Sequence, residues 1–399
     1  MLQSNNFILS LNYYLNNQSC HLFHSNINTT TIDFDPNSSL IFTNQSTIAI
    51  VLRTTSLSTS TSTTTTAVPV WISSGSMNNA RNGHTASILF DGSVLVVGGS
   101  NSNGYLNTSE LYNSSTGIWT LTRQFNVGRE DHTASVLSNG QVLIVGGYNL
   151  SGAMVNVNLY DPLANIWTTG KRLNIAREDH RSVTLVNGKV LAIGGRNTAA
   201  LSSSELYDPL TDTWTLTGSL NSAREDHTAS VLNNGKVLIA GGMDVNVLKS
   251  AEIYDPSTNI WTLTGNLKMA RSHYTATILF DGKVLVAGGF GASSVLNSAE
   301  LYDPSTGVWT LTGNMVNARF GHSACVLANG NVLVVGGYDG TVYLKAAELY
   351  NRSSGTWTSI VDMNFARLFF TQSVLLNGKL LVTGGQSQKG IILDSTELY

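Results

Sequence analysis

Acidic dipeptides recur in the sequence at a regular spacing, each directly after an arginine. They stand 47 or 48 residues apart and are Glu130-Asp131, Glu178-Asp179 and Glu225-Asp226. Carboxylates grouped on one face could hold a ligand with a cationic portion, most simply a peptide or a protein loop. They could also hold Ca²⁺, which prefers oxygen ligands. The alternative is that duplication copied six solvated acids that bind nothing.

Arginine and histidine recur with the same spacing, one of each in a copy. The arginines are Arg81, Arg129, Arg177, Arg224, Arg271, Arg319 and Arg367. Histidine follows at one fixed position in five copies, at His84, His132, His180, His227 and His322, and another copy has His273-Tyr274. A residue that recurs in each copy indicates a structural role there. We expect each arginine to pair with an acid of its own copy, namely Glu110, Glu205, Glu252, Glu300, Glu348 or Glu397, with Asn158 in that place in the second copy.

No arrangement of these residues predicts catalysis. Three converging arginines could hold a carboxylate through bidentate bonds, as in a sialidase-like site, but an arginine in all seven copies favours the structural role. The sequence has no Ser-His-Asp set, no phosphate-binding loop and no CxxC metal spacing. We therefore predict no catalytic residue, no cofactor and no metal site.

The elements that position these residues also repeat. Tryptophan recurs at Trp71, Trp119, Trp167, Trp214, Trp261, Trp309 and Trp357. Gly-Gly pairs keep the same period, and so does an apolar–Tyr step that usually follows a Glu, as in Glu252-Ile253-Tyr254. A fixed period of this length is typical of propellers and other repeat architectures.

Each copy predicts a sheet of four strands. In the copy that begins at Arg224 the strand candidates are 227–232, 237–240, 251–254 and 260–263. Asn234-Gly235 predicts a two-residue type I′ hairpin between the first two strands, and every copy has Asn-Gly or Asp-Gly there. Packing such sheets face to face around an axis buries both faces of each sheet, with the Trp and Tyr side chains between neighbouring sheets.

The sequence repeat is circularly permuted relative to the blade, and this permutation sets the number of blades. Strands one to three occur seven times, and the last copy stops at Tyr399 before a fourth strand. The missing strand is found around Trp71 at the other end of the repeat region. The sequence therefore predicts an all-β fold, a seven-bladed β-propeller of four-stranded blades, closed by pairing of strand 68–73 with the three strands of 367–399.

Composition divides the chain into a leader, 1–66, and a propeller domain, 67–399. The leader is dominated by Asn, Ser and Thr and is predicted to be disordered. It resembles an O-glycosylated stalk, and the alternatives are a flexible leader or a misassigned gene start. The net charge of −3 gives no basic field for nucleic acid. No apolar stretch reaches the length of a membrane span, and no secretory signal is evident.

The repeat resembles the kelch repeat of the galactose-oxidase-like superfamily, on its period, its Gly-Gly pair and its Tyr and Trp at fixed offsets. This resemblance implies a propeller that binds proteins or other ligands through loops on one face. It also raises an alternative, a carbohydrate-related enzyme or lectin-like binder of galactose-oxidase-like or sialidase-like type. Galactose oxidase binds copper through two His and two Tyr, one of them cross-linked to Cys. Only His273-Tyr274 is reminiscent of such a pair here, and Cys325 lies in an apolar strand beside no Tyr.

A ligand site is expected where the copies differ, because residues common to all copies build the blades. The copies differ in the dipeptide after each arginine and in the loop after each Gly-Gly pair, and we expect both on one face. This face would be acidic on one arc and partly apolar on another. Aromatic residues of the loops are further contact candidates: Tyr148, Phe290, Tyr338 and Tyr343.

The sequence thus predicts a non-catalytic scaffold for a protein or peptide ligand, with a glycan as another possible partner. Eight Asn-X-Ser/Thr sequons and the lack of a second partner-recruiting domain favour an extracellular or cell-surface location over a cytoplasmic one.

Overall fold

The computed structural model describes residues 70–399, together with the backbone of two hairpins ahead of them. These hairpins are Leu9–Tyr14 with Ser19–His24, and Leu40–Thr43 with Thr47–Ile50. The rest of 1–66 lies outside the described residues, so the disordered leader stays a prediction. No helix in the described part is both long enough and apolar enough to cross a bilayer.

Seven antiparallel four-stranded sheets form the repeat region, each in the order first, second, third, fourth strand. The first strands are Thr85–Ile88, Thr133–Val136, Arg181–Thr184, Thr228–Val231, Thr275–Ile278, Ser323–Val326 and Thr371–Val374. The second strands are Val94–Val97, Val142–Val145, Val190–Ile193, Val237–Ala240, Val284–Ala287, Val332–Val335 and Leu380–Thr383. The third strands are Ser109–Asn113, Val157–Asp161, Ser204–Asp208, Ala251–Asp255, Ala299–Asp303, Ala347–Asn351 and Thr396–Leu398. The fourth strands are Ile118–Leu121, Ile166–Thr169, Thr213–Leu216, Ile260–Leu263, Val308–Leu311, Thr356–Ile360 and Ile72–Ser73. We number the blades one to seven from the blade that begins at Arg81.

Smaller elements lie only in the loops after the Gly-Gly pairs. Two-residue strands pair in blade one, Ser100–Asn101 with Gly104–Tyr105, and in blade two, Tyr148–Asn149 with Gly152–Ala153. A 3₁₀ turn, Gln388–Gly390, occupies the same loop of blade seven. No other helix occurs among residues 70–399.

The ring closes as the sequence predicts. Ile72–Ser73 pairs with Thr396–Leu398, through Leu398 opposite Ile72 and Glu397 opposite Ser73. The strand is shorter than the predicted 68–73, of which residues 68 and 69 lie outside the described part. The first strands of adjacent blades contact one another in an unbroken circle, so they line the central channel.

The hairpin between first and second strands is confirmed, but its predicted turn type is wrong. A type I′ turn needs positive φ at both central residues, whereas of this pair only Gly235 has it, at 78°. The Gly235 N–H donates to the Leu232 carbonyl, and the Leu232 N–H donates to the Lys236 carbonyl. This is the three-residue loop that ends in a glycine bulge, the other hairpin type for which glycine at that position is favoured.

The tryptophans that recur once in each copy lie between neighbouring blades, as predicted. Trp261 and Tyr254 of blade four stack with ring centroids 5.0 Å apart and pack in one cluster with Leu191 and Ile193 of blade three. The Trp261 indole N–H donates to the Ser204 hydroxyl of blade three at 3.2 Å. Five of the seven tryptophans are buried, and those of blades two and six are half-buried.

Each blade-opening arginine is fully buried and bound within its own blade. The Arg224 Nη1 donates to the Gly241 carbonyl at 2.7 Å, and its Nη2 donates to Glu252 Oε1 at 2.9 Å. The Glu252 carboxylate also accepts the backbone N–H groups of Asn221 and Ser222. Because six blades repeat this ion pair, the arginines are structural and form no shared carboxylate site.

Candidate functional site

The chain crosses the mouth of the channel at the second residue after each blade arginine. These seven residues all have positive φ, from 49° to 60°. Each backbone N–H donates to the carbonyl of its counterpart in the preceding blade over 3.0–3.3 Å, which closes a circle of seven hydrogen bonds. We call this set the mouth ring: Gly83, Asp131, Asp179, Asp226, His273, Gly321 and Phe369.

Three members of the mouth ring are aspartates, and all three line one cavity of about 470 Å³. Asp has above-average tolerance of positive φ, which explains why an acid can hold this position. Asp226 is only 8% exposed, and its Oδ2 lies 3.3 Å from Nε2 of His273. The cavity is also lined by Arg181, Tyr274 and other residues of the first strands.

The environment of these acids favours their protonated forms. Burial raises the pKa of Asp226 to about 7, and Glu225 raises it while the Arg181 guanidinium acts in the opposite direction. Burial and the neighbouring Asp226 raise the pKa of Asp179 to about 7. Burial and the Asp179 carboxylate likewise raise the pKa of Asp131 well above its usual range. A ligand cation would stabilise the ionised forms, so binding it would release protons.

The predicted glutamates lie one position outward from the mouth ring. Each pairs through its backbone with the residue that follows a Gly-Gly pair: Glu130 with Tyr148, Glu178 with Arg196 and Glu225 with Met243. The Glu225 Oε1 lies 2.9 Å from Nη1 of Arg196, so this acid has a partner of opposite charge. Burial and Asp179 raise the pKa of Glu178 to about 7. The variable dipeptides and variable loops therefore meet on one face, as expected from the sequence.

Aromatic side chains form a continuous group on the opposite side of the mouth. Phe320 lies between Phe290, Tyr338 and Phe369, with ring centroids 5.7–6.4 Å apart, and Tyr338 contacts Tyr343. Phe290 and Phe369 are 41% and 38% exposed. His273 joins the two arcs, because its ring lies 5.8 Å from Phe369 and beside Asp226. We call this group the aromatic arc: Phe290, Phe320, Tyr338, Tyr343 and Phe369.

The fourth predicted loop aromatic stands apart from this arc. Tyr148 packs edge-on against Tyr105, with centroids 5.9 Å apart, beside the acidic blades. The sequence-based candidates therefore divide into the acids of blades two to four, Tyr148 of blade two, and the aromatic-arc members Phe290, Tyr338 and Tyr343 of blades five and six.

A layer of histidines lies one residue below the mouth ring. In four blades the histidine Nε2 hydrogen-bonds with a threonine hydroxyl of the preceding blade, for example His132 with Thr85 at 2.9 Å. Tyr274 takes the same place in blade five and accepts a hydrogen bond from the Thr228 hydroxyl at 2.9 Å. This layer explains the regular histidines as blade-to-blade contacts.

Arg181 interrupts the histidine layer, and the sequence analysis missed it. It replaces the threonine that would face His227, and neither ring nitrogen of His227 has a hydrogen-bond partner among the described residues. The Arg181 Nε is buried and has no partner there either, while its Nη1 donates to the His180 carbonyl at 3.4 Å. Threonine follows the histidine position in most copies, so this departure could have been found by alignment of the repeats.

Tyr274 and Cys325, which the resemblance to galactose oxidase brings into question, are both buried and hydrogen-bonded within the propeller. No group of three or more His, Cys, Asp or Glu side chains in this part of the chain is placed to hold a metal ion. The Tyr274 phenol is buried and engaged by Thr228 and the Ala240 carbonyl, and Cys325 is buried in the first strand of blade six. The three mouth aspartates face one cavity without forming such a group, so Ca²⁺ gains no support from their geometry.

Two overlapping segments, residues 48–242 and 181–385, match the family model described as the KLHDC2/KLHL20/DRC7 Kelch-repeats domain. The chain belongs to the kelch-repeat family. A match spanning most of the propeller agrees with the blade geometry, in which every copy has its Gly-Gly pair, Tyr and Trp at fixed places. No curated protein sequence matches the chain.

Solved structures share the kelch propeller fold. One is described as a novel fungal alcohol oxidase with catalytic diversity among the AA5 family, in complex with copper. It is 20% identical, with a TM-score of 0.69 over 83% of this chain and 76% of that chain. At this identity the likeness shows the fold alone.

Proposed function

We propose that this kelch propeller is a non-catalytic binding module whose mouth face captures a peptide or protein loop with a cationic portion. The observation that carries the proposal is the position of Asp131, Asp179 and Asp226 around one cavity at the channel mouth. Asp226 is buried, and Asp131 and Asp179 are half-buried. Carboxylates that share one cavity disfavour one another's ionised forms, and a cation bound between them would relieve this. Their arrangement supports a site that is completed by a positively charged ligand group.

The aromatic arc supports the same function from the other side of the cavity. Exposed aromatic side chains commonly anchor protein interfaces. Phe369 belongs to both the aromatic arc and the lining of the cavity. A ligand whose cationic group is held by Asp226 would therefore place its apolar part against the aromatic arc. The expected ligand therefore combines a cationic group with apolar or aromatic neighbours.

Selection from a bead-displayed library of random hexapeptides tests the proposal. We expect selected peptides to carry a cationic group, to bind more weakly in high salt and to bind more tightly as the pH rises from 6 to 8. The pH effect follows because Asp179 and Asp226, with pKa values raised to about 7, ionise over this range.

A double variant, Asp179→Asn with Asp226→Asn, provides the decisive comparison, because Asn keeps the shape and tolerates positive φ. The matched control is Asp255→Asn with Asp303→Asn, which removes the same charge from exposed turns on the other face. We expect the first pair to lose the selected peptides and the control to keep them. Equal binding by both pairs would refute an acidic binding site at the mouth.

The alternative carbohydrate-related function is tested beside it. A glycan array and a peroxide-release assay with copper-loaded protein should both be negative. A glycan retained by the wild type, or peroxide formed from a primary alcohol, would replace the peptide proposal with that alternative.

We also propose an extracellular or cell-surface location, because propeller sequons such as those at Asn113 and Asn351 lie at exposed positions. Expression through a secretory pathway should give a glycosidase-sensitive mass increase. Retention of the unmodified mass would contradict this location.

A further inference from the structure

The cavity at the mouth holds a cationic side chain as well as the three aspartates. Arg181 lines it, and no carboxylate of the described residues lies within ion-pair distance of its guanidinium. Its buried Nε lacks a hydrogen-bond partner among the described residues, as do the Nε atoms of four blade arginines, but each of those four has a glutamate partner and Arg181 has none. The same cavity thus offers acceptors for a cation and an unused donor for an oxygen.

A second, fully buried group next to Arg181 also lacks partners, although it is not part of the cavity lining. In the other histidine-bearing blades the Nε2 atom meets a threonine of the preceding blade, and at His227 that position is occupied by Arg181. His227 is 0% exposed and neither ring nitrogen has a partner among the described residues. Burial, Arg181 and Arg224 hold the pKa of His227 well below its ordinary value, so its ring is neutral. Because His227 does not line the cavity, the unused donor that a ligand in the cavity could meet belongs to Arg181.

We propose that the mouth cavity binds an α-amino head group, with the ammonium at the aspartates and the adjacent carbonyl or carboxylate oxygen at Arg181. This inference rests on the proposed cationic ligand and specifies its chemistry. A lysine or arginine side chain would present a cation without an acceptor beside it and would leave Arg181 unused. An α-ammonium carries its carbonyl oxygen on the adjoining carbon, so one small group meets both requirements.

The size and lining of the cavity suit this head group with an apolar side chain. Its volume of about 470 Å³ lies within the range of small-ligand pockets. Phe369 and Phe370 line its wall on the side of blade seven, across from the aspartates. The head group occurs both in free amino acids and at the N-terminus of a peptide, and these two sources share the recognised atoms.

A matched series of phenyl compounds tests the inference by calorimetry at pH 7.5 with the full chain. The probes are phenylalanine and phenylalaninamide, which carry both groups, 2-phenylethylamine, which has only the ammonium, and 3-phenylpropanoate, which has only the carboxylate. We expect the first two to bind at least tenfold more tightly than the last two. Repeating the titration in buffers of different ionisation enthalpy should reveal proton release with phenylalanine and 2-phenylethylamine, whose ammonium groups are already charged at this pH, and less release with phenylalaninamide, which must take up a proton to bind as an ammonium.

Substitutions separate the two halves of the site. Arg181→Thr installs the residue that other blades use, so the fold is preserved. In this variant the tenfold advantage of phenylalaninamide over 2-phenylethylamine should fall to less than twofold. Asp179→Asn with Asp226→Asn should weaken both amines by tenfold or more, and Asp255→Asn with Asp303→Asn should leave all four affinities unchanged.

The results distinguish this inference from the proposed function. Equal binding of phenylalaninamide and 2-phenylethylamine, or an advantage that survives Arg181→Thr, would overturn the head-group inference and leave the cationic site in place. Amine binding unaffected by the aspartate variants would overturn both, as would no binding of any probe at 10 mM.

A pentapeptide with N-terminal Phe, compared with its N-acetylated form, identifies the source of the head group. Preference for the free terminus assigns the N-terminus of a chain. Binding of phenylalanine but of neither peptide assigns a free amino acid.

Discussion

Blade two lacks the carboxylate that its buried arginine has in every other blade, and Asn158→Glu should restore it. Arg129 is 0% exposed, its Nη1 donates to the carbonyls of Gly146 and Asn156, and its Nη2 donates to Asn158 Oδ1 at 2.6 Å. Without a counter-charge, burial lowers the pKa of Arg129 to about 10. The charged form of this guanidinium therefore lies in an environment that disfavours it.

The magnitude follows from that pKa. A displacement of this size from the ordinary value of 12.5 corresponds to a penalty of about 3 kcal/mol on the charged guanidinium. A glutamate would offset much of the penalty and could accept the backbone N–H groups of Asn126 and Val127, as Glu252 accepts those of Asn221 and Ser222. Desolvation of the new carboxylate takes back part of the gain. We expect a net stabilisation of about 2 kcal/mol, or a rise in Tm of roughly 4 °C for a domain of this size.

The assay is thermal and urea unfolding of the wild type, Asn158→Glu, the neutral control Asn158→Gln and the reverse change Glu252→Asn. We expect the glutamate variant to gain stability at pH 7, the glutamine variant to gain none and Glu252→Asn to lose stability. In the equivalent pair of blade one, hydrogen bonds from Asn78 and the charge of Arg81 outweigh burial and lower the pKa of Glu110. A carboxylate of lowered pKa stabilises the fold above its unfolded-state pKa, so the gain should disappear as the pH falls below about 4. An equal gain from the glutamine variant, or no gain from the glutamate variant at pH 7, would refute the argument from charge.

Three further predictions concern packing and the mouth. Trp261→Ala should lower the free energy of unfolding by about 3–5 kcal/mol in urea titrations, because it empties an interblade site; an unchanged midpoint would contradict the interblade role. Asp179→Asn with Asp226→Asn should stabilise the protein by an amount on the order of 1–2 kcal/mol at pH 8 and by much less at pH 4. The sign follows because folding raises these two pKa values, so the folded state loses stability as the pH rises from about 4 to 7; equal effects at both pH values would exclude this cause. Arg181→Thr should raise Tm by a few degrees, because a threonine hydroxyl can bond with His227; a lower Tm would show that Arg181 stabilises the unliganded fold.

The architecture could be predicted from the sequence because every blade has the same marker residues at the same spacing. The Trp, the Gly-Gly pair and the apolar–Tyr step share one period, and together they defined the four-stranded blade. The strand around Trp71 has no other strand of its blade next to it in the sequence, and this defined the closure of the ring. The error in the hairpin came from one dipeptide with two structural solutions. Asn234-Gly235 suits a two-residue turn, but it also supplies the positive-φ glycine that ends a three-residue loop, and the strand lengths decide between them.

The candidate face could be predicted only in outline. Variation among copies brought the acids and Phe290, Tyr338 and Tyr343 to one face, but the sequence could not show that all three aspartates line the cavity whereas, of the three glutamates, only Glu130 does. The aspartates adopt positive φ, a backbone conformation that the sequence alone does not specify. Arg181 could not be found from the variable loops because it belongs to a first strand, Arg181–Thr184.

The mouth ring separates the choice of side chain from the integrity of the fold. Its backbone hydrogen bonds run from blade to blade and are the same whether the residue is Gly83, Asp226 or Phe369. Positive φ is demanded of every member, which Gly, Asp and His meet readily and Phe meets at some cost. At Gly321 a Cβ would also collide with Leu368 and Phe369, so this position is closed to larger residues while its neighbours stand as they are. At the other positions the frame holds different side chains without change to its hydrogen bonds, so the lining of the mouth can change while the propeller remains intact.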